Sequence, residues 1–171
     1  MKHHRAQQGF TLIELLLYVA ISSVMLLAIS LFLSTLLQSR IKNQTIAEVE
    51  QQGLQVMQLV TQTLRNADVI NSPAQGASAS VISVNTYNAA NNPTMFDLSG
   101  GVVRITEGAG SAVVLTNSRV TVSGLTFQNF SQNNTPGTIG IQFVITYINP
   151  TGRNEYQYVK MFTGSATLRQ P

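Results

Sequence analysis

The pattern of hydrophobic and polar positions along the chain contains one long apolar segment near the N-terminus. Residues 15–37 are all apolar, aromatic or hydroxyl-bearing, without glycine, proline or charge. A membrane-spanning helix needs about 20 such residues, whereas soluble helices of this length normally carry a polar face. Serine and threonine hydroxyls can bond back to the helix backbone, so they do not oppose insertion. The pattern therefore predicts a membrane-spanning helix.

A second segment has the spacing of an amphipathic helix. Its apolar and small residues recur every three or four positions, at Ile46, Val49, Gly53, Val56, Val60, Leu64 and Ala67. This spacing places them on one helix face. Because no proline occurs between Phe10 and Asn71, we predict one continuous helix. Its membrane and assembly part covers residues 10–38 and its amphipathic part covers residues 39–70. Gly53 is the expected weak point, at a cost of about 1 kcal/mol relative to alanine.

Residues 80–171 have the composition of an antiparallel β-sheet. Residues rich in β-branched side chains occur at 81–87, 102–106, 112–116 and 119–127. Between Ile139 and Tyr147, apolar residues alternate with polar or small ones, which predicts a strand with one buried face. Turns at 107–110 and 149–152 should join antiparallel neighbours. The predicted fold class is α+β, a long N-terminal helix packed on an antiparallel β-sheet.

Composition argues against an enzyme. The chain has no cysteine, and its only histidines, His3 and His4, are adjacent at the N-terminus. Thiolate metal sites and an imidazole base in the folded domain therefore have no candidate. The acids Asp97, Glu107 and Glu155 are predicted in or beside turns, as solvated residues. We predict no catalytic residue, cofactor or metal. The ten Lys and Arg residues are scattered, so charge does not indicate nucleic-acid binding.

One acidic residue stands at the start of the apolar segment. Glu14 directly precedes residues 15–37, and no Lys or Arg occurs between residues 6 and 39. A charged side chain held near the centre of a bilayer costs about 2.5–3.5 kcal/mol, and less near its edge. The partner of Glu14 must therefore be a positive group from outside this helix.

The residues around Glu14 resemble a known export signal. The run GFTLIE at residues 9–14 follows a short polar leader that carries Lys2 and Arg5, and it precedes the long apolar helix. This order is similar to the class III signal of type IV prepilins and pseudopilins. The similarity covers the first quarter of the chain. It also implies the pilin-like arrangement of a long helix on a sheet.

The resemblance implies specific roles for three residues. A prepilin peptidase would remove residues 1–9 by cutting between Gly9 and Phe10, and would methylate the new N-terminus at Phe10. Glycine suits the position before the cut because it has no Cβ to obstruct a protease cleft. Glu14 corresponds to the family glutamate that pairs with the terminal ammonium of a neighbouring subunit. Two charges that are costly in lipid then satisfy each other when subunits stack.

The resemblance also implies partners and a location. The partners are prepilin peptidase, other pilins or pseudopilins in a filament, an inner-membrane assembly platform and membrane lipid. The location is the bacterial cytoplasmic membrane, crossed once, with the head outside the cytoplasm and later extraction into an envelope or surface filament. Lys2 and Arg5 before the span balance Arg40 and Lys42 after it, so charge alone does not set the orientation.

Three interpretations of function remain open. The first is a structural subunit of the minor type. Many pilins carry a proline within the membrane helix and this chain does not, while residues 97–105 and 120–127 resemble the J-class minor pseudopilins of type II secretion. The second is a pilus-borne binding module, an adhesin or DNA-uptake minor pilin, which would use the uncharged Asn-rich loops at 85–93 and 128–136. The third is a membrane-anchored envelope enzyme, for which no acid–base pair is evident.

Overall fold

The computed structural model describes residues 10–133 and 136–169, and the chain divides into two compact units. The units are residues 1–40 and 41–171. Helix α1, Leu12–Arg65, contributes to both. In the first unit, every residue from Phe10 to Arg40 is exposed. The helix is long and apolar enough to cross a membrane, judged by its length and composition.

In the second unit, α1 buries one face against the sheets. The buried residues of the helix are Thr45, Val49, Gln52, Gly53, Val56, Val60 and Leu64. Gly53 is more than the weak point that the sequence suggested. A Cβ at this position would lie 2.1 Å from the Phe162 ring, so glycine allows the ring to pack directly on the helix backbone.

Helix α1 ends five residues earlier than the apolar spacing suggested. Strand β1, Ala67–Ser72, begins almost directly after Arg65. Ala67 is fully buried, as a helix stripe would also require, but its backbone pairs with Thr86. The pairing of this segment with a distant strand overrides its local periodicity, as is common for short segments that fit both patterns.

The other strands form two antiparallel sheets. They are β2 Ser78–Ala79, β3 Ile82–Thr86, β4 Thr94–Ser99, β5 Val102–Glu107, β6 Val113–Val114, β7 Val120–Asn129, β8 Thr138–Tyr147 and β9 Val159–Thr167. One sheet has the order β1-β3-β4-β5-β6 and the other has the order β2-β7-β8-β9. The fold is α+β with antiparallel pairing, as predicted, although the strands divide between two sheets.

The alternating strand is the clearest agreement between sequence and structure. Ile139, Ile141, Phe143 and Ile145 are buried in β8. Gln142, between two of them, is exposed. The buried residues belong to one core cluster that also includes Val56 of α1 and Phe96 of the other sheet. Helix and sheets of the second unit thus share one hydrophobic core.

Candidate functional site

The start of α1 is held by a side-chain cap. The Thr11 hydroxyl oxygen lies 3.4 Å from the backbone nitrogen of Glu14, which donates to it, and the Thr11 carbonyl accepts from the amides of Glu14 and Leu15 at 3.1 and 3.2 Å. A threonine before a helix with a glutamate three residues later is the pattern of a capping box. The cap therefore fixes the backbone that carries Glu14.

The carboxylate of Glu14 is directed along the helix. The Tyr18 hydroxyl donates a hydrogen bond to Glu14 Oε1 at 3.4 Å. The Tyr18 ring also meets the Phe10 ring edge to face, with their centroids 6.0 Å apart. Residues four apart are neighbours on a helix surface. Phe10, Glu14 and Tyr18 thus form one exposed face, which we call the Phe10–Glu14–Tyr18 face.

The structure locates two of the three residues that the sequence singled out. Phe10 and Glu14 lie on this common face, whereas Gly9 and the rest of the predicted leader are outside the described residues. The sequence interpretation missed Thr11 and Tyr18. The signals were available, since Thr11 stands three residues before Glu14 and Tyr18 stands four residues after it.

A comparison with family models bears on this same segment. Residues 4–30 match the prokaryotic N-terminal methylation motif. The matched residues include Gly9 and the whole Phe10–Glu14–Tyr18 face.

The match supports a type IV pilin-like or pseudopilin-like structural subunit rather than an enzyme. Together with the apolar helix it supports membrane anchoring. The motif also implies processing by a prepilin peptidase and assembly with other pilin-like subunits. No curated protein and no solved structure matches the chain significantly.

In the second unit, Asp97 is not the turn residue that the sequence suggested. It lies in β4 opposite Arg104 of β5. The guanidinium donates to both carboxylate oxygens, at 2.9 and 2.5 Å. This hydrogen bonding raises the pKa of Arg104 above its ordinary value. The pair joins two strands. The prediction that Asp97 is a solvated turn residue is therefore wrong, because it did not take account of the partner on the neighbouring strand.

The other two acids also have neighbouring partners. Glu107, the last residue of β5, accepts a hydrogen bond from the Asn91 side chain at 3.3 Å. Glu155 lies in the short 3₁₀ helix Asn154–Tyr156 and pairs with Arg153. Its own backbone hydrogen bond, then Arg153, lowers the pKa of Glu155. Across residues 10–133 and 136–169, no three His, Asp or Glu side chains gather closely enough to hold a metal ion.

In the first Asn-rich loop, asparagine side chains form hydrogen bonds with the backbone of the same loop. The Asn92 side chain accepts from the Thr86 amide at 2.7 Å and donates to the Thr86 carbonyl at 2.9 Å. The Asn88 side chain accepts from the Ala90 amide at 3.2 Å. These groups stabilise the loop at 85–93. In the loop at 128–136, Asn129 donates to the Pro73 carbonyl at 2.8 Å, and residues 134–135 are outside the described part of the chain.

Proposed function

We propose that this chain is a minor structural subunit of a type IV pilus-like or type II secretion pseudopilus filament. Prepilin peptidase cuts it between Gly9 and Phe10 and methylates Phe10. The cut chain stays in the cytoplasmic membrane through residues 10–38, with the head outside the cytoplasm, until the inner-membrane platform adds it to a filament. Glu14 then pairs with the Phe10 ammonium of an adjacent subunit.

The observation that carries this proposal is the isolation of Glu14. It is the one charged side chain between residues 6 and 39, and it belongs to the matched motif. It lies in the apolar part of α1, where every residue up to Arg40 is exposed. An unpaired carboxylate is expensive in lipid, and one partner brought by a second subunit would remove that cost. The new ammonium of a processed neighbour has the required charge.

The test compares two substitutions at Glu14 in cells that make the native filament. Glu14→Ala should insert in the membrane and be cut after Gly9 as the wild type is, because the cut lies outside the helix that Glu14 joins. Recovery in sheared or pulled-down filaments should fall strongly, because the neighbour's ammonium would enter the filament core unpaired, a defect of several kcal/mol. Glu14→Gln keeps the shape without the charge and should resemble Glu14→Ala.

The matched control removes an acid elsewhere. Glu107→Gln changes an exposed carboxylate at the end of β5 and should leave filament recovery unchanged. Normal recovery of both Glu14 variants would exclude the pairing mechanism, while cleavage after Gly9 would still stand as a separate result.

A further inference from the structure

The Tyr18 hydroxyl has a different environment from the hydroxyls of Ser23 and Thr35 in the same apolar segment. Ser23 and Thr35 each donate to a backbone carbonyl three residues earlier, at 2.8 Å. A tyrosine cannot do this, because its rigid ring carries the hydroxyl away from its own helix backbone. In hydrocarbon, a polar group without a partner is costly. The acceptor that Tyr18 reaches is the Glu14 carboxylate.

The direction of this contact follows from helix geometry. Side chains on an α-helix tilt toward its N-terminus, so a long residue covers the turn before its own position. Tyr18 therefore extends back over Glu14, and its ring reaches as far as the Phe10 ring. Glu14, already placed by the Thr11 cap, is bracketed by two aromatic rings on one helix face.

We propose that Tyr18 is a positioning residue for assembly. Its hydroxyl holds Oε1 of the Glu14 carboxylate while the subunit waits in the membrane, and it leaves the second oxygen to receive the ammonium of the next subunit. A carboxylate has acceptor capacity for both donors. This inference rests on the proposed function, because the incoming ammonium belongs to it. Tyr18 limits the carboxylate to one orientation, in which the second oxygen stays available to the incoming ammonium.

The variant that isolates the hydroxyl is Tyr18→Phe. It retains the ring and its contact with Phe10, so the helix surface stays the same shape. In the full chain with the native filament machinery, cleavage after Gly9 and the amount in membranes should match the wild type. Recovery in filaments should fall about tenfold or more, the scale expected for losing a hydrogen bond to a charged group. Tyr87→Phe, at an exposed tyrosine of the second unit, is the matched control and should have no effect.

A spectroscopic measurement tests the hydrogen bond itself before assembly. The full processed chain, purified in lipid nanodiscs with ¹³C-labelled glutamate carboxyls, gives an infrared carboxyl band for Glu14 that is identified by subtracting the spectrum of Glu14→Ala. Tyr18→Phe should shift that band toward the position expected for a carboxyl group that accepts one fewer hydrogen bond. Tyr87→Phe should leave it in place.

The alternative role for Tyr18 is that of an aromatic residue at the membrane interface, which tyrosines commonly occupy. An unchanged Glu14 band in Tyr18→Phe, or filament recovery equal to that of the wild type, would overturn the positioning role and leave the interfacial one. A failure of the proposed function would give a different result. In that case Glu14→Ala and Glu14→Gln would enter filaments normally, regardless of the infrared band of Glu14 in the unassembled subunit.

Discussion

Gly53 of α1 and Phe162 of β9 show how one side chain's absence can shape a core. A Cβ at position 53 would lie 2.1 Å from the Phe162 ring, and Phe162 stacks on Phe143 with ring centroids 5.4 Å apart. Sequence reasoning assigned Gly53 only its helix-propensity cost. That cost is compensated by the close approach of an aromatic ring, which no local pattern could reveal.

We expect Gly53→Ala to destabilise the protein although alanine favours helices. Overpacking a filled core typically costs about 1–3 kcal/mol. Because a Cβ would lie only 2.1 Å from the ring, we expect a cost in the upper part of this range, which exceeds the gain of about 1 kcal/mol from helix propensity. Urea unfolding of a version beginning at Arg40 would measure the change. Gln55→Ala, on the exposed side of the same helix, should be within about 0.5 kcal/mol of wild type. Phe162→Leu should reduce the loss of unfolding free energy caused by Gly53→Ala. If the losses of the two single variants simply added in the double variant, the contact between the two residues would be contradicted.

A second residue pair joins α1 to β9 by charge. Lys160 donates to Glu50 at 2.7 Å, and the Tyr158 hydroxyl donates to the same carboxylate oxygen at 3.3 Å. The hydrogen bond and charge of Lys160 lower the pKa of Glu50, and the hydrogen bond to Glu50 raises the pKa of Lys160. Both side chains are partly exposed, so the effect on stability is small.

The pH dependence of this pair has a defined sign. A lowered carboxyl pKa contributes stability above the unfolded value, about 4.3 for glutamate, and loses it as the pH falls through the folded value. The wild type should therefore melt slightly above Glu50→Gln at pH 7, and the difference should vanish as the pH falls below about 4. The raised pKa of Lys160 predicts a second loss above about pH 10.4. A difference in melting temperature that stays constant from pH 7 to pH 2 would contradict this account.

At the scale of elements, the sequence predicted strands best where one face alternates and that face is buried. β8 has this pattern, and its pairing with β9 follows from the turn that joins them. The same reasoning missed β1, because Ala67 fits a helix stripe equally well. It also missed β4, whose Asp97 was assigned to a turn. Pairing such as β2 with β7 joins residues about 50 apart, so local patterns could not divide the strands between two sheets.

Like the strands, the candidate site was predictable from the sequence only in part. The run GFTLIE at residues 9–14 singled out Phe10 and Glu14 because charge, apolar run and leader occur there in one order. Tyr18 was counted only as one more aromatic residue of the span. Its role depends on where the side chain points, which helix geometry gives once Glu14 is taken as the reference.

The burial pattern along α1 predicts that the second unit folds alone. Burial in this helix begins after Arg40. Thr45 is its first buried residue, and Val49 is its first residue in the core that α1 shares with the sheets. A version that begins at Arg40 should be soluble and give a circular dichroism spectrum of mixed helix and strand with a cooperative melt. A largely unfolded or predominantly helical spectrum would contradict the architecture.

In the complete chain, we expect the two units to have different roles. Residues 4–30 carry the methylation motif and the Phe10–Glu14–Tyr18 face, so we expect processing and assembly to depend on the first unit. The second unit has its own core of helix and sheets, which would form the head of the subunit. We therefore expect substitutions on the exposed face of the first unit to affect filament entry and core substitutions in the second unit to affect stability.

We propose that the chain is cut after Gly9 and methylated at Phe10. Mass spectrometry of the N-terminal peptide, from native protein made in cells with an active prepilin peptidase, tests this processing. We predict a peptide that begins at Phe10 and carries one methyl group on its amine, and we predict that Gly9→Leu retains the leader while Gln8→Ala is still cut. An intact leader in the wild type, or a cut at another position, would contradict the account.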